Sequence, residues 1–205
     1  MNHYFTDNRH LAQNRKEITF RFSCFTCHFL TDNGVFCKDH VDFGTRTLLD
    51  AVHASGLLGE EVLDLGCGYG VIGITLKKQY PDSAFTLAEV NPRALELAQE
   101  NAARNGAEVT CVCSDVYSGV EGNTFTDILT NPPIRAGKKV IYQMFEQAYD
   151  DLREGGRLWV VIRKQQGAAS AREKIAQVFG SCEIISREKG YLVLLAKKVD
   201  KLTGD

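Results

Sequence analysis

The stretch Val62-Leu63-Asp64-Leu65-Gly66-Cys67-Gly68-Tyr69-Gly70 runs from a short, mostly apolar strand straight into alternate glycines. Residues 71–79 then carry a helical pattern, closed near Tyr80-Pro81 because the residue before a proline disfavours the helical region. A strand buried on both faces, a glycine turn and a helix make the opening of a parallel βα unit. The alternation continues outward. Residues 84–90 read as a strand with Glu89 near its end, and Asn91-Pro92 opens a helix with an N-cap and a proline at its first position. That helix runs to about residue 104 and stops at Asn105-Gly106. Strands at 109–113 and 127–130 follow, the first running into Asp115 and the second into Asn131. Val140, Ile141, Met144, Phe145, Ala148 and Leu152 mark a helix that Gly155-Gly156 is expected to stop. A strand at 157–162, a helix at 168–179 and two strands, 183–188 and 191–197, around Lys189-Gly190 complete the pattern. The expectation is an α/β fold: a seven-stranded, mostly parallel sheet with helices on both faces and one antiparallel strand at an edge.

Upstream, residues 17–22 and 24–30 read as strands, Asp32-Asn33-Gly34 as a turn, and 45–55 as a helix stopped by Gly56. Residues 1–58 are therefore expected to form a β-rich N-terminal extension packed on a main domain at 59–200, one globular unit overall. The 205 residues, 44% hydrophobic and 24% charged, suit a soluble protein. No apolar run approaches about 18 residues, so no membrane span is expected. Residues 1–16 are polar and do not resemble a secretory signal. The net charge of −2 argues against a non-specific nucleic-acid binder and leaves room for a local basic patch. Seven cysteines, an odd number without an export signal, point to reduced thiols in the cytoplasm. Cys24-x-x-Cys27-His28 has no second ligand pair at matching spacing, so these cysteines are expected to be core or surface thiols rather than metal ligands.

In such sheets ligands bind at the carboxyl ends of the strands. The glycine loop, Glu89, Asp115 and Asn131 all fall on that rim. Gly68-x-Gly70-x-x-Gly73, with an acid at position 89, matches the dinucleotide fingerprint and alone fits NAD as well as S-adenosylmethionine (SAM); a tight turn without a ligand is the plain alternative. Chemistry separates the two cofactors. NAD brings a pyrophosphate, which the carboxylate of Asp64 would repel, whereas SAM brings an ammonium that Asp64 could attract, directly or through water. Glu89 would accept from the ribose hydroxyls and Asp115 from the adenine amino group, while the glycines let the cofactor approach the backbone. The expected cofactor contacts are Asp64, Gly66, Cys67, Gly68, Glu89, Val90, Asp115 and Val116, joined by Asn131.

Asn131-Pro132-Pro133-Ile134 speaks to the acceptor. A planar amine or amide nitrogen is a poor nucleophile because its lone pair is delocalised. The side-chain carbonyl of Asn131 can accept one N–H and the backbone carbonyl of Pro132 the other, favouring a tetrahedral nitrogen with its lone pair aimed at the methyl group. Those bonds strengthen as the nitrogen becomes acidic, which makes them catalytic. The prolines supply rigidity. Neither a general base nor a metal is needed. A rigid turn after a strand is the alternative reading of the same residues.

In this order the features resemble the class I SAM-dependent methyltransferases, over roughly residues 35–198: 62–70 is similar to their first motif, Glu89 to their ribose acid, and Ser114-Asp115-Val116 to their adenine segment. The resemblance implies their Rossmann-like sheet. In that family an aromatic residue after Asn-Pro-Pro stacks on the acceptor, and Ile134 departs from this; Phe36, Tyr69 and Tyr117 are candidate replacements. The longer run Asn131-Pro132-Pro133-Ile134-Arg135-Ala136-Gly137-Lys138, with residues 32–45 upstream, resembles the bacterial small-subunit rRNA guanine-N2 methyltransferases in a short, single-domain form. This resemblance implies rRNA or the small ribosomal subunit as partner, Phe36 and Thr45 near the methionine end of SAM, and Pro133, Ile134, Arg135 and Lys138 as substrate contacts. Longer members carry a second, amino-terminal copy of the fold; a homodimer would compensate for it here. Arg135, Lys138, Lys139, Arg163 and Lys164 gather cations near the same rim, as phosphate contacts beside a flipped base require, although a solvated helix start would look the same. The competing readings are a protein glutamine or adenine-N6 methyltransferase, a non-catalytic SAM-fold RNA-binding protein, and an NAD oxidoreductase, for which no hydride-site residue is evident.

Overall fold

The computed structural model describes residues 12–199; residues 1–11 of the expected extension and residue 200 of the expected main domain lie outside the described residues. The chain forms β1 (Lys16–Phe22), β2 (Phe25–Thr31), α1 (Phe43–Ser55), β3 (Glu61–Leu65), α2 (Val71–Gln79), β4 (Ala84–Glu89), α3 (Pro92–Arg104), β5 (Thr110–Cys113), β6 (Phe125–Thr130), α4 (Lys138–Asp151), β7 (Leu152–Arg163), α5 (Ala168–Phe179), β8 (Glu183–Glu188) and β9 (Tyr191–Lys197). Among the described residues no helix is long and apolar enough to cross a membrane.

Strands β3 to β9 form one seven-stranded sheet in the order β5-β4-β3-β6-β7-β9-β8. The pairs from β5 through β7 are parallel, and β9 runs antiparallel to both of its neighbours. The antiparallel strand expected at this margin is thus β9, with β8 paired outside it. From β3 the chain winds outward to β5, then returns across to β6 on the other side of β3. This reversal opens a crevice at the carboxyl ends of β3 and β6, where doubly wound sheets hold their ligands.

Strand alternation assigns the two faces. Val62, Leu129, Trp159 and Val161 join one buried cluster, with Leu48 and Leu49 of α1, Ile74 and Leu76 of α2, and Leu97 of α3. Leu63, Leu65, Ile128, Leu158 and Val160 join the other, with Phe145 of α4 and Ile175 of α5. Strands covered on both faces carry nearly continuous apolar runs, which is why the central strands were legible in the sequence.

The β1-β2 hairpin is a separate two-stranded sheet. It docks on α3 through two asparagines one helical turn apart. Asn101 accepts from the Leu30 N–H (2.6 Å) and donates to the Leu30 carbonyl (3.0 Å). Asn105 accepts from the His28 N–H (3.0 Å) and donates to its carbonyl (2.8 Å). The two amides thereby stand in for a strand along the edge of β2. Cys24 sits exposed between the strands, Cys27 is buried, and His28 points to solvent.

One expected boundary moves. α4 ends at Asp151 and β7 begins at once with Leu152, paired to Phe125, ahead of the two glycines expected to stop the helix. Gly155, at φ +77°, and Gly156 instead form an irregularity inside the strand, where the register against β6 shifts. The Gly155 N–H donates to the Lys198 carbonyl (2.9 Å), and the Lys198 N–H to that of Gly156 (2.8 Å). A Cβ on Gly156 would lie 2.8 Å from the Arg153 carbonyl oxygen, so glycine is required there for packing rather than for helix termination.

Candidate active site

The carboxyl ends of β3, β4, β5 and β6, with β7 and β9 beside them, surround a cavity of about 720 Å³. The loop after β3 is pinned from behind: the Gly66 and Cys67 N–H groups both donate to the Ala88 carbonyl (2.9 and 3.0 Å). Its glycines divide by purpose. Gly66 (φ +73°) and Gly68 (φ +57°) line the cavity, and a Cβ on either would meet nothing within 4 Å. Gly70 (φ +93°) and Gly73 are packing glycines, because a Cβ would press on Ile74 at 2.7 Å and on Leu87 at 2.5 Å respectively. The fingerprint that matches dinucleotide loops is therefore only partly a ligand signature.

Glu89 ends β4 and lines the cavity. One carboxylate oxygen accepts from the Gly68 N–H (2.8 Å) and the other from the Asn91 N–H (2.8 Å). Burial pushes its pKa up, opposed by these backbone bonds. Glu89 thus ties the glycine loop to the start of α3 while holding a carboxylate at the cavity wall. Asp64, expected to attract a cofactor ammonium directly or through water, does not itself line the cavity; its side chain is fully buried behind the loop. There Oδ2 accepts from the Gly73 N–H (2.8 Å) in the first turn of α2, and Oδ1 has no partner among the described residues. Alternation on β3 explains this: Asp64 shares the face of Val62, the side that α2 covers.

Asp115, Val116, Val90, Cys67 and Phe36 all line the cavity. Asp115 is exposed, and Phe36 and Val90 are the most open apolar side chains there (39% and 38% exposed). Val116 adopts φ +54°, which costs a β-branched residue on the order of 1–3 kcal/mol. Ser114 Oγ holds it by donating to the Val116 carbonyl (2.8 Å) while accepting from the Gly119 N–H (2.9 Å).

Asn131, Pro132, Pro133 and Ile134 reach the same cavity from β6. The Asn131 amide nitrogen donates to Asp42 Oδ2 (3.0 Å) and to Thr45 Oγ1 (3.0 Å), leaving the amide oxygen as the acceptor that no group among the described residues takes. The Pro133 carbonyl is taken by the Ala136 N–H (2.8 Å); among the described residues no backbone N–H takes that of Pro132. Arg135, Arg163, Gln166 and Tyr191 line this end. Lys138 and Lys139 are exposed at the start of α4, outside the cavity lining.

Of the rings named as candidates, Phe36 lines the cavity in the open. Tyr69 lines it but is buried, its hydroxyl donating to the Cys37 carbonyl (3.2 Å). Tyr117 lies outside the lining, bonded to the Met144 carbonyl (3.0 Å). Sequence reading missed Tyr191, whose ring sits 5.8 Å from that of Phe43 with the Arg163 guanidinium 5.9 Å above it. It also gave no role to Asp42, which lies inside the 32–45 run that carries the resemblance and just ahead of a helical pattern. Among the described residues no group of three His, Cys, Asp or Glu side chains could hold a metal ion.

Comparison with known proteins places this geometry. The model of the methyltransferase small domain family matches residues 26–195. The uncharacterized protein YbxB of Bacillus subtilis is 43% identical over 199 residues, which cover 96% of this chain and 98% of that protein. The ribosomal RNA small subunit methyltransferase C of Actinobacillus pleuropneumoniae serotype 3 is 35% identical over 167 residues, 80% of this chain and 50% of that one. Among solved structures, a T. thermophilus 16S rRNA N2 methyltransferase in complex with AdoMet and guanosine superimposes with a TM-score of 0.82 at 25% identity, covering 90% of this chain and 50% of that one. The chain thus spans nearly all of the Bacillus protein and half the length of the two rRNA methyltransferases.

Proposed function

This chain belongs to the methyltransferase small domain family, and from that membership we propose that it transfers a methyl group from SAM to the exocyclic N2 amine of a guanine in small-subunit rRNA. The cavity fits such a cofactor. Its volume lies in the range of small-molecule sites. Gly66 and Gly68 leave open space where a nucleoside would approach the backbone. Each Glu89 oxygen holds one N–H and keeps lone-pair capacity for ribose hydroxyls, and the exposed Asp115 carboxylate suits an adenine amino group. Cys67, Val90, Val116 and Phe36 would supply apolar contacts, and Thr45 would border the methionine end. Asp64 serves only indirectly, by fixing α2 beneath the loop.

Bound SAM supplies an electrophilic methyl group on a sulfonium. The chain supplies aim. The observation that carries the proposal is the orientation of Asn131: its NH2 is turned toward Asp42 and Thr45, so its carbonyl is the group offered to an incoming amine. With the Pro132 carbonyl, it would accept both N–H bonds of a planar amine and leave the lone pair to face the methyl. Those acceptors are preorganised and gain strength as the nitrogen becomes cationic. The methylated nitrogen then loses a proton to solvent. Tyr191 and Ile134 would flank the base, and Arg135 and Arg163, with Lys138, Lys139 and Lys164 farther out, would meet phosphates.

The test incubates labelled SAM with unmodified small subunits, large subunits, naked rRNA and a release-factor-like protein. Label on guanine N2 of small-subunit rRNA is expected. Label confined to protein would sink the RNA reading, label confined to adenine would sink the guanine reading, and label confined to large subunits would redirect the proposal to the other particle.

A further inference from the structure

An asparagine can aid methyl transfer to an amine only in one of its two amide orientations. With its carbonyl toward the acceptor it takes an N–H; flipped by a half-turn, it would set its own N–H groups against those of the substrate. The two orientations are nearly equal in shape, so packing cannot choose between them. A hydrogen-bond partner must.

Two side chains hold the Asn131 amide nitrogen. The Thr45 hydroxyl, 3.0 Å away, can donate or accept and would tolerate either orientation. The carboxylate of Asp42, also at 3.0 Å, accepts only and would be left facing a carbonyl oxygen if the amide flipped. We propose that Asp42 is the positioning residue that sets the orientation of Asn131, so that the amino-terminal cap of α1 completes the methyl-transfer site 89 residues farther along the chain. The inference rests on the reading of Asn131 given above.

The surroundings are built for it. Asp42 Oδ2 also accepts from the Thr45 N–H (3.1 Å), so one oxygen caps α1 and holds Asn131 together. α1 is itself fixed by Leu48, Leu49 and Val52, each fully buried. Gly44 leaves the carboxylate its room: a Cβ there would lie 2.9 Å from Asp42 Oδ2 and 2.6 Å from the Tyr191 ring. The residues expected to form an extension thus supply part of the site.

Asp42→Ser keeps a side chain able to cap α1 but too short to reach Asn131, and Asp42→Asn keeps both reach and cap. Asp42→Ser should lower kcat about thirtyfold with SAM affinity within about twofold, since a bond to a charged partner is lost. Asp42→Asn should recover most of that loss, because the Thr45 N–H that caps onto this side chain would hold its oxygen, not its NH2, toward Asn131. In an Asn131→Ala background, Asp42→Ser should cost less than about threefold more, because its target is already gone. Equal losses in both backgrounds, or a wild-type kcat in Asp42→Ser, would overturn the proposal. The 15N resonance of the Asn131 side-chain NH2 needs no substrate: slow amide rotation and exchange in the wild type, lost in Asp42→Ser and retained in Asp42→Asn, supports the positioning role even if no guanine is methylated. An NH2 resonance unmoved by Asp42→Ser overturns the role whatever the substrate. Thermal unfolding of each variant shows whether α1 remains capped, and should Asp42→Ser fail to fold, Asp42→Thr, equally able to cap and equally short of Asn131, takes its place in the same comparison.

Discussion

Replacing Asp64 with asparagine should shift the pH dependence of stability in the ligand-free protein. The carboxyl is fully buried, with one bond from the Gly73 N–H at 2.8 Å and a second oxygen that has no partner among the described residues. Burial raises its pKa from 3.8 to about 7, the Gly73 bond opposing this and the charge of Glu89 adding to it. Across that window the folded chain retains a proton that the unfolded chain has released. The contribution of the protonated form is therefore fully present below pH 3.8, declines as pH rises, and levels off above about pH 7. A rise of this size corresponds to about 4 kcal/mol, more than half of which falls between pH 5 and pH 8. Asparagine can still accept the Gly73 bond and has no charge to bury; any cost of its unpaired NH2 does not vary with pH. Urea unfolding of both proteins at pH 5, 6, 7 and 8, at fixed ionic strength, should show the difference moving in favour of Asp64→Asn by that amount. A difference constant to within about 0.5 kcal/mol, or moving the other way, would mean that Asp64 is charged throughout, and its assignment as a neutral support for α2 would fail.

Glu89→Ala should weaken SAM binding at least tenfold, because it removes the carboxylate proposed for the ribose and unpairs the Gly68 and Asn91 N–H groups; unchanged affinity by calorimetry would overturn that role. Asn131→Ala should leave SAM affinity within about threefold and lower methyl transfer about a hundredfold, whereas equal losses in binding and turnover would make Asn131 a cofactor ligand only. Asn101→Ala should destabilise the fold by about 3 kcal/mol, since it strands the buried Leu30 N–H and the Leu30 and Tyr69 carbonyls; a melting temperature unchanged from the wild type would show that the hairpin docks by apolar contact alone.

The sheet was readable from the sequence because its signals are local. A strand buried on both faces must be apolar over consecutive residues, a turn that needs positive φ selects glycine, and a helix start selects Asn91-Pro92; each is written within a few positions of where it acts. The glycine loop, Glu89, Asp115 and Asn131-Pro132-Pro133 were placed on one rim for the same reason, since each ends a strand. Other outcomes depended on what folding brought alongside. Strand order put Asn131 beside the glycine loop, and pairing energies between distant strands leave no mark at either one. The side of β3 that α2 covers turned Asp64 away from the cavity. Asp42 and Tyr191 come from segments far from Asn131 in sequence, and only their packing around Gly44 gives them a part in the site. The sequence by itself determined which chemical groups the chain could present at the carboxyl ends of its strands; the tertiary structure decided which of them face the cavity, because a side chain's direction depends on the neighbour that covers its strand or caps its helix.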